Sequence, residues 1–253
     1  MIDQEPARIP VISIIRNSFA IPWSKRATML RALLPISLIM IALRMGDSVI
    51  LAELGFVAEF VTRILYWMVI TVFAVTCHRL ILLGDDSVPK YGLRKWSKRE
   101  SSFVGWSLLG YGGWTLITLL VIIFSVGFTG SLGSLPQAWG GYALYFIAVP
   151  GAYVFARFSV LLPATAVDEQ RDLTWAWKTT EGNGWRLFLV VGILPLALSY
   201  GPDYLPGRLS VVDFVIQAVG CILYVVEVAA LSLSYQHLTA HRVLRFGQGR
   251  RMW

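Results

Sequence analysis

Glu227 stands in the middle of an otherwise apolar run, ILYVVEVAALSL over residues 222–233. A carboxylate in such surroundings costs several kcal/mol unless it is neutral or paired. Its natural chemistry is therefore proton or solute handling, an internal ion pair, or a protonated carboxyl bonded to a Ser or Tyr. Arg79 and Arg157 offer guanidiniums near the ends of two other apolar runs. Each can pair with Glu227, snorkel to lipid phosphate, or grip an anionic headgroup with its bidentate fork. Glu59 and Arg63, four residues apart, read as a simple helical ion pair. Three imidazoles, His78, His237 and His241, have the donor chemistry for Zn²⁺ or a haem edge, and the last two are four apart. No carboxylate or Cys is fixed beside them, so the expectation is no metal and no cofactor.

The residues that enzymes require are missing. The chain has no Gly-x-Ser-x-Gly nucleophile, no His-Glu-x-x-His helix, no phosphate-binding Gly-rich loop ending in Lys-Ser/Thr, and no Asp cluster for Mg²⁺. Cys77 and Cys221 both fall in apolar runs and read as small buried hydrophobes. Gly110, Gly112 and Gly113 read as a place where a neighbouring helix approaches closely.

The elements that must hold these residues are membrane helices. The 253 residues are 56% hydrophobic and only 15% charged, with a mean hydropathy of +0.64, far from soluble averages. Apolar runs at 29–43, 56–83, 103–128, 139–162, 186–200 and 209–238 predict six transmembrane helices in one all-α integral membrane domain over residues 1–253. The first and fifth are short for a bilayer of about 30 Å and need their flanks. Pro35, Pro195 and the Pro150-Gly151 pair are expected to kink their helices. The amino terminus has no basic segment leading into an apolar run, so no cleavable signal peptide is expected.

Charge predicts the orientation. Of the 22 Lys and Arg, 19 lie in the first segment, after spans two and four, and in the tail, while the other side keeps Arg44, Arg63 and Arg208. Both termini are therefore expected in the cytoplasm. The formal net charge of +7 is spread over membrane-flanking segments interleaved with Trp and Tyr, which favours anionic lipid headgroups over nucleic acid as partner. Three cytoplasmic segments have the pattern of helices lying on the membrane surface, at about 9–21, 90–100 and 172–181. In the first, Val11, Ile12, Ile15 and Phe19 form the apolar face; in the third, Asp172 is the expected N-cap and Gly182-Asn183-Gly184 the expected stop. Each of these segments precedes a transmembrane hairpin, and RLILLG from Arg79 matches RFSVLLP from Arg157, a pattern of three repeated hairpins.

The stretch RFSVLLPATAVDEQRDLTWAWKTTEGNGWRLFLV from Arg157 resembles small six-span bacterial membrane proteins related to the membrane domain of glycerophosphoryl diester phosphodiesterases and to YciC-like inner-membrane proteins. The resemblance rests on Arg157, Pro163, Asp168, Trp177, Thr180, Gly182 and Asn183, where an Arg closes a span, a Pro and an acid follow, and an amphipathic helix leads through Gly-Asn into the next span. It implies a six-span fold in a bacterial inner membrane. It implies no hydrolysis, because the phosphodiesterase domain has no counterpart here.

Three functions follow. The first is a non-catalytic inner-membrane protein that organises or supports membrane components, as an accessory subunit or a homo-oligomer. The second is a carrier or channel for a lipid-like or anionic solute, using Glu227 and Arg157. The third is an intramembrane enzyme, resting on the histidines alone. A water-filled cavity reaching Glu227 separates the second from the first.

Overall fold

The computed structural model describes residues 8–129, 149–195 and 211–249, and these are helix and turn throughout, with no strand among them. Helix α1 (Val11–Ser24) gives way at Lys25 to α2 (Arg26–Leu82). The long α2 is two helices joined at Gly55, whose φ of 79° and ψ of −178° lie where only glycine settles without strain. Its arms run antiparallel: Lys25 Nζ donates to the Leu80 carbonyl at 3.2 Å, the Thr28 hydroxyl to Asp85 Oδ2 at 2.9 Å, and Arg44 lies over the Tyr66 ring. Met29, Leu33, Ile36 and Met40 of the first arm share a buried cluster with Phe73, Cys77 and Leu80 of the second. The short first span of the sequence reading is thereby lengthened by its flanks, to Arg26–Gly46.

Gly84, at φ 89°, follows α2, and a 3-10 turn covers Asp85–Ser87. The surface helix expected at 90–100 does not form. Residues 90–97 are turn and extended chain, and Gly92, at φ 67°, is pressed so closely onto the Ala32 carbonyl that a Cβ would collide with it. Helix α3 (Lys98–Thr129) starts instead at a capping box. There Glu100 Oε2 accepts from the Ser97 backbone N–H at 2.8 Å and from the Ser97 hydroxyl, whose oxygen in turn accepts from Arg99 N at 3.3 Å.

Helix α4 (149–158) passes through a turn at 159–160 into α5 (Leu161–Ala166). Sequence reading ended this helix at Pro163; the structure kinks it there and lets it continue. Pro163 has no N–H for the Ser159 carbonyl, which accepts from Leu162 N at 3.0 Å instead. The stop comes at Asp168, the sole non-glycine among the described residues with positive φ, at 65°. Helix α6 (Leu173–Thr179) is capped as expected, Asp172 Oδ1 accepting from Trp175 N at 2.7 Å. Helix α7 (Gly184–Leu187) then widens into a π-helical turn (Phe188–Ile193) just before Pro195, and α8 (Val211–Gly249) closes the described chain. A widened turn is the usual accommodation where a proline removes a backbone donor.

Four helices of the described residues are long and apolar enough to cross a membrane: Arg26–Gly46, Gly55–Leu82, Val149–Ala166 and Val211–Ala240. Their outer faces stay uncovered. Phe56, Phe60, Ile64 and Leu65 on α2, Leu116, Leu120 and Ile123 on α3, and Val211, Val215 and Ile222 on α8 are exposed, a surface suited to lipid and not to water. Residues 139–148, 196–200 and 209–210 of the expected spans, and the loop at 131–134, lie outside the described residues.

Helix α1 packs on the C-terminal half of α8, burying Ile14 and Ser18. Ile12 and Phe19 of the apolar face read from sequence stay exposed, and Trp23 joins them. The helix presents one face to the protein and a second apolar face outward.

Candidate functional site

Between the two arms of α2, α3, α4, residues 191–195 and α8 lies a cavity of about 720 Å³. Each long helix contributes a stripe at helical spacing. On α8 it is Tyr224, Glu227, Val228 and Leu231; on α3 it is Phe103, Ser107 and Tyr111; on α2 it runs from Arg63 through Tyr66, Trp67, Ile70, Thr71 and Ala74 to His78. Glu227 is the single carboxylate among these lining residues.

The polar groups divide into two sets. Thr71 and Thr62 donate to the carbonyls of Trp67 and Ala58 one turn earlier in their own helix, and Arg63 is held by Glu59 at 2.9 Å, the pair expected from sequence. The Ser232 hydroxyl donates to the Val228 carbonyl at 2.8 Å and so receives the 2.7 Å hydrogen bond from His78 as an acceptor. His78 therefore carries its proton on Nδ1, leaving Nε2 as a bare acceptor in a ring that lines the cavity. The second set is unpartnered. Among the described residues no hydrogen bond or ion pair reaches the Glu227 carboxyl or the hydroxyls of Tyr111 and Tyr224, although Glu227 is in electrostatic range of both phenols. Ser232 is five residues beyond Glu227, so at about 1.5 Å rise per residue the carboxyl and the imidazole are separated by roughly 7.5 Å along α8.

The arginines weighed as partners of Glu227 are bonded elsewhere. Arg79 Nη1 donates to the Ala166 carbonyl at 2.9 Å and to Asp168 Oδ2 at 2.7 Å, and Nε donates to the Ser87 carbonyl at 3.3 Å. Arg99 meets the same carboxylate from α3, at 2.9 and 3.1 Å. Asp168 thus ties α2, α3 and the end of α5 together. Glu100 lies beside Arg99 and is buried; burial pushes its carboxyl up, yet the Ser97 and Arg99 hydrogen bonds prevail and hold it below the usual carboxylate range. Arg94 belongs to the same cluster, with a buried Nη1 that has no hydrogen-bond partner. Burial, then repulsion from Arg99 and Arg79, pull its pKa down from the usual arginine value.

Arg157 is 7% exposed and holds α6 in place. Nε donates to the Thr180 hydroxyl at 2.9 Å, Nη2 to the Trp177 carbonyl, and the guanidinium lies 3.6 Å from the Trp177 ring centroid. Gly182, at φ 73°, turns the chain after α6. The buried Asn183 then accepts from the Ile9 backbone N–H at 2.7 Å, while Arg186 Nη1 donates to the Ile9 carbonyl at 3.2 Å. Asp168, Trp177 and Asn183 thus make the contacts that hold these segments together, and Pro163 and Gly182 shape the chain between them. No three His, Cys, Asp or Glu side chains converge among the described residues; His78 and His237 are described, and the His241 side chain lies outside them.

Sequence reasoning singled out Glu227 and missed Tyr111, Tyr224 and Trp67 around the same cavity. The signal was present in the three- and four-residue spacing of polar groups inside apolar runs, Ser107 to Tyr111 and Tyr224 to Glu227. It also missed the capping box of Ser97 and Glu100. Neither a family model, nor a curated protein, nor a solved structure matches this chain.

Proposed function

We propose that the protein is a non-catalytic membrane carrier that binds a small solute in the cavity at Glu227. One observation carries this reading: Glu227, Tyr111 and Tyr224 face a cavity of about 720 Å³ without partners among the described residues, and helices apolar enough to cross a membrane help to line it. Polar groups left unpaired inside a lipid-embedded helix bundle cost free energy that a bound solute or water recovers. A supporting or accessory subunit has no need of such a cavity. Arg157, weighed from sequence as a second solute ligand, is already bonded to Thr180 and Trp177, so recognition falls to Glu227 and the phenols.

The carrier crosses a bacterial inner membrane six times, with α3 and the segment from Arg186 completing the four helices above and both termini cytoplasmic. The 26 residues 103–128 carry no Asp, Glu, Lys or Arg, and the distribution of Lys and Arg supports this orientation. The exposed Ile12, Phe19 and Trp23 of α1, with Trp177 and Trp185, meet the headgroups of anionic lipids.

Aqueous access to the cavity is the test. In a background with Cys77→Ala and Cys221→Ala, the Ser107→Cys and Thr71→Cys variants are exposed to a membrane-impermeant methanethiosulfonate reagent in intact membranes, with Ile123→Cys on the outer face as control. Modification at 107 and 71 with none at 123 is expected. No modification at either cavity position overturns the carrier reading.

A further inference from the structure

We infer that the solute is a small organic cation of the alkylammonium type, an inference that rests on the solute-binding reading above. Glu227 supplies the counter-charge, since no other carboxylate lines the cavity among the described residues. Of the cationic lining residues, Arg63 is paired with Glu59, and Arg44 lies over the Tyr66 ring, 5.5 Å from its centroid; no ion pair joins either to Glu227 among the described residues. His78 donates a hydrogen bond from Nδ1 to the Ser232 hydroxyl and lines the cavity.

Six further lining residues are aromatic, set among aliphatic and hydroxyl side chains. Trp67 meets Tyr111 edge to face, with ring centroids 5.8 Å apart, and Tyr111 meets Phe155 at 5.1 Å. Tyr224 stands one turn before Glu227 on α8. Rings around a desolvated ammonium group are the usual means of recognising a quaternary nitrogen, because the ring faces carry negative charge density and demand no hydrogen bond. A single carboxylate and one imidazole nitrogen are too few ligands for Mg²⁺ or Ca²⁺, which take about six or more oxygens. An anion would meet the Glu227 carboxylate, and a neutral lipid-like molecule would leave that charge uncompensated. Binding requires the ionised carboxyl. Tyr66 on α2, Tyr111 on α3 and Tyr224 on α8 are the other titratable hydroxyls on the lining, with Arg44, Arg63 and His78 of α2 as its bases, so uptake of the cation is linked to proton release at Glu227.

The test uses the purified full chain in lipid nanodiscs with tetraethylammonium and three probes of one shape: choline, its neutral carbon analogue 3,3-dimethylbutan-1-ol, and the anionic 3,3-dimethylbutanoate. Calorimetry and tryptophan fluorescence report binding, and size-exclusion profiles confirm the fold of the variants. Saturable binding of a cation is expected, with the neutral and anionic analogues at least about tenfold weaker. The Glu227→Gln variant should lose at least about tenfold for the cation without changing the neutral probe. Equal or tighter binding of the neutral or anionic analogue overturns the inference, as does cation binding indifferent to Glu227→Gln. If no cation binds while the Ser107→Cys variant is modified by aqueous reagent, the cation assignment falls and the carrier reading stands; if that variant is also unmodified, both fall.

Discussion

Replacing Asp168 separates charge from backbone at the junction that joins three helices. Its carboxylate takes three N–H···O contacts from two guanidiniums, Arg79 at 2.7 Å and Arg99 at 2.9 and 3.1 Å, and its backbone stands at φ 65°. The arginine side chains are 12% exposed and the Asp168 side chain 57%. Asp168→Asn keeps an acceptor and a residue at ease in the left-handed region but loses the charge. Charge-assisted bonds exceed neutral ones by about 1 kcal/mol each, and solvent around Asp168 reduces this, leaving a loss of about 1–2 kcal/mol. Asp168→Gly keeps the backbone and loses every acceptor, about 2 kcal/mol. Asp168→Ala adds about 1 kcal/mol of backbone strain, about 3 kcal/mol in all. At about 2–4 °C per kcal/mol for a chain of this size, the melting temperature falls by about 2–8 °C for Asn and by about 6–12 °C for Ala, with Gly between. The assay heats detergent-solubilised protein and measures the surviving monodisperse fraction by size exclusion. Asn within about 1 °C of the parent, or Ala no worse than Gly, would refute the ion-pair and backbone reasoning respectively.

Gly92→Ala should destabilise by more than about 2 kcal/mol, since a Cβ there meets the Ala32 carbonyl at a positive φ; the same heating assay reads it, and a stability equal to the parent counts against the contact. Arg157→Lys retains charge but loses the stacked fork over Trp177 and the bond to Thr180, about 1–3 kcal/mol. Limited proteolysis should then cut near α6 sooner, and an unchanged digest would argue against its anchoring role. Glu100 is held below the ordinary glutamate range in the folded protein, so its contribution is present above that range and is lost as pH falls through the folded value. Glu100→Gln should flatten the acid limb of a stability-against-pH profile, and an unaltered limb would contradict the assignment. Affinity for an alkylammonium ion should rise with pH until Glu227 is fully ionised, measured by calorimetry over a pH series; an affinity independent of pH, or falling with it, contradicts the linkage.

Helical class and membrane character were legible before any coordinates, because bilayer insertion is read residue by residue from hydropathy and run length. The Asp172 cap and the Glu59–Arg63 pair were legible for a related reason: both are local, within four residues. The surface helix expected at 90–100 does not form, because Gly92 at positive φ and the Ser97–Glu100 box start the helix later. Pro163 was read as a stop, yet a proline in the first turn of α5 needs only one carbonyl redirected, and Leu162 N supplies that donor.

By itself, then, the amino-acid order determined an all-helical chain built for lipid, and marked Glu227 as a charge that needs an explanation. Only the tertiary structure decided what surrounds it. Arg79 binds a carboxylate 89 residues away, and Arg157 turns to Trp177 and Thr180. Tyr111, on a helix more than a hundred residues earlier in the chain, faces the same cavity as Glu227 and its helical neighbour Tyr224. Hydropathy sums over neighbours in sequence, whereas the partner of a buried charge is chosen by how helices rotate and pack against one another, and no local pattern records that rotation.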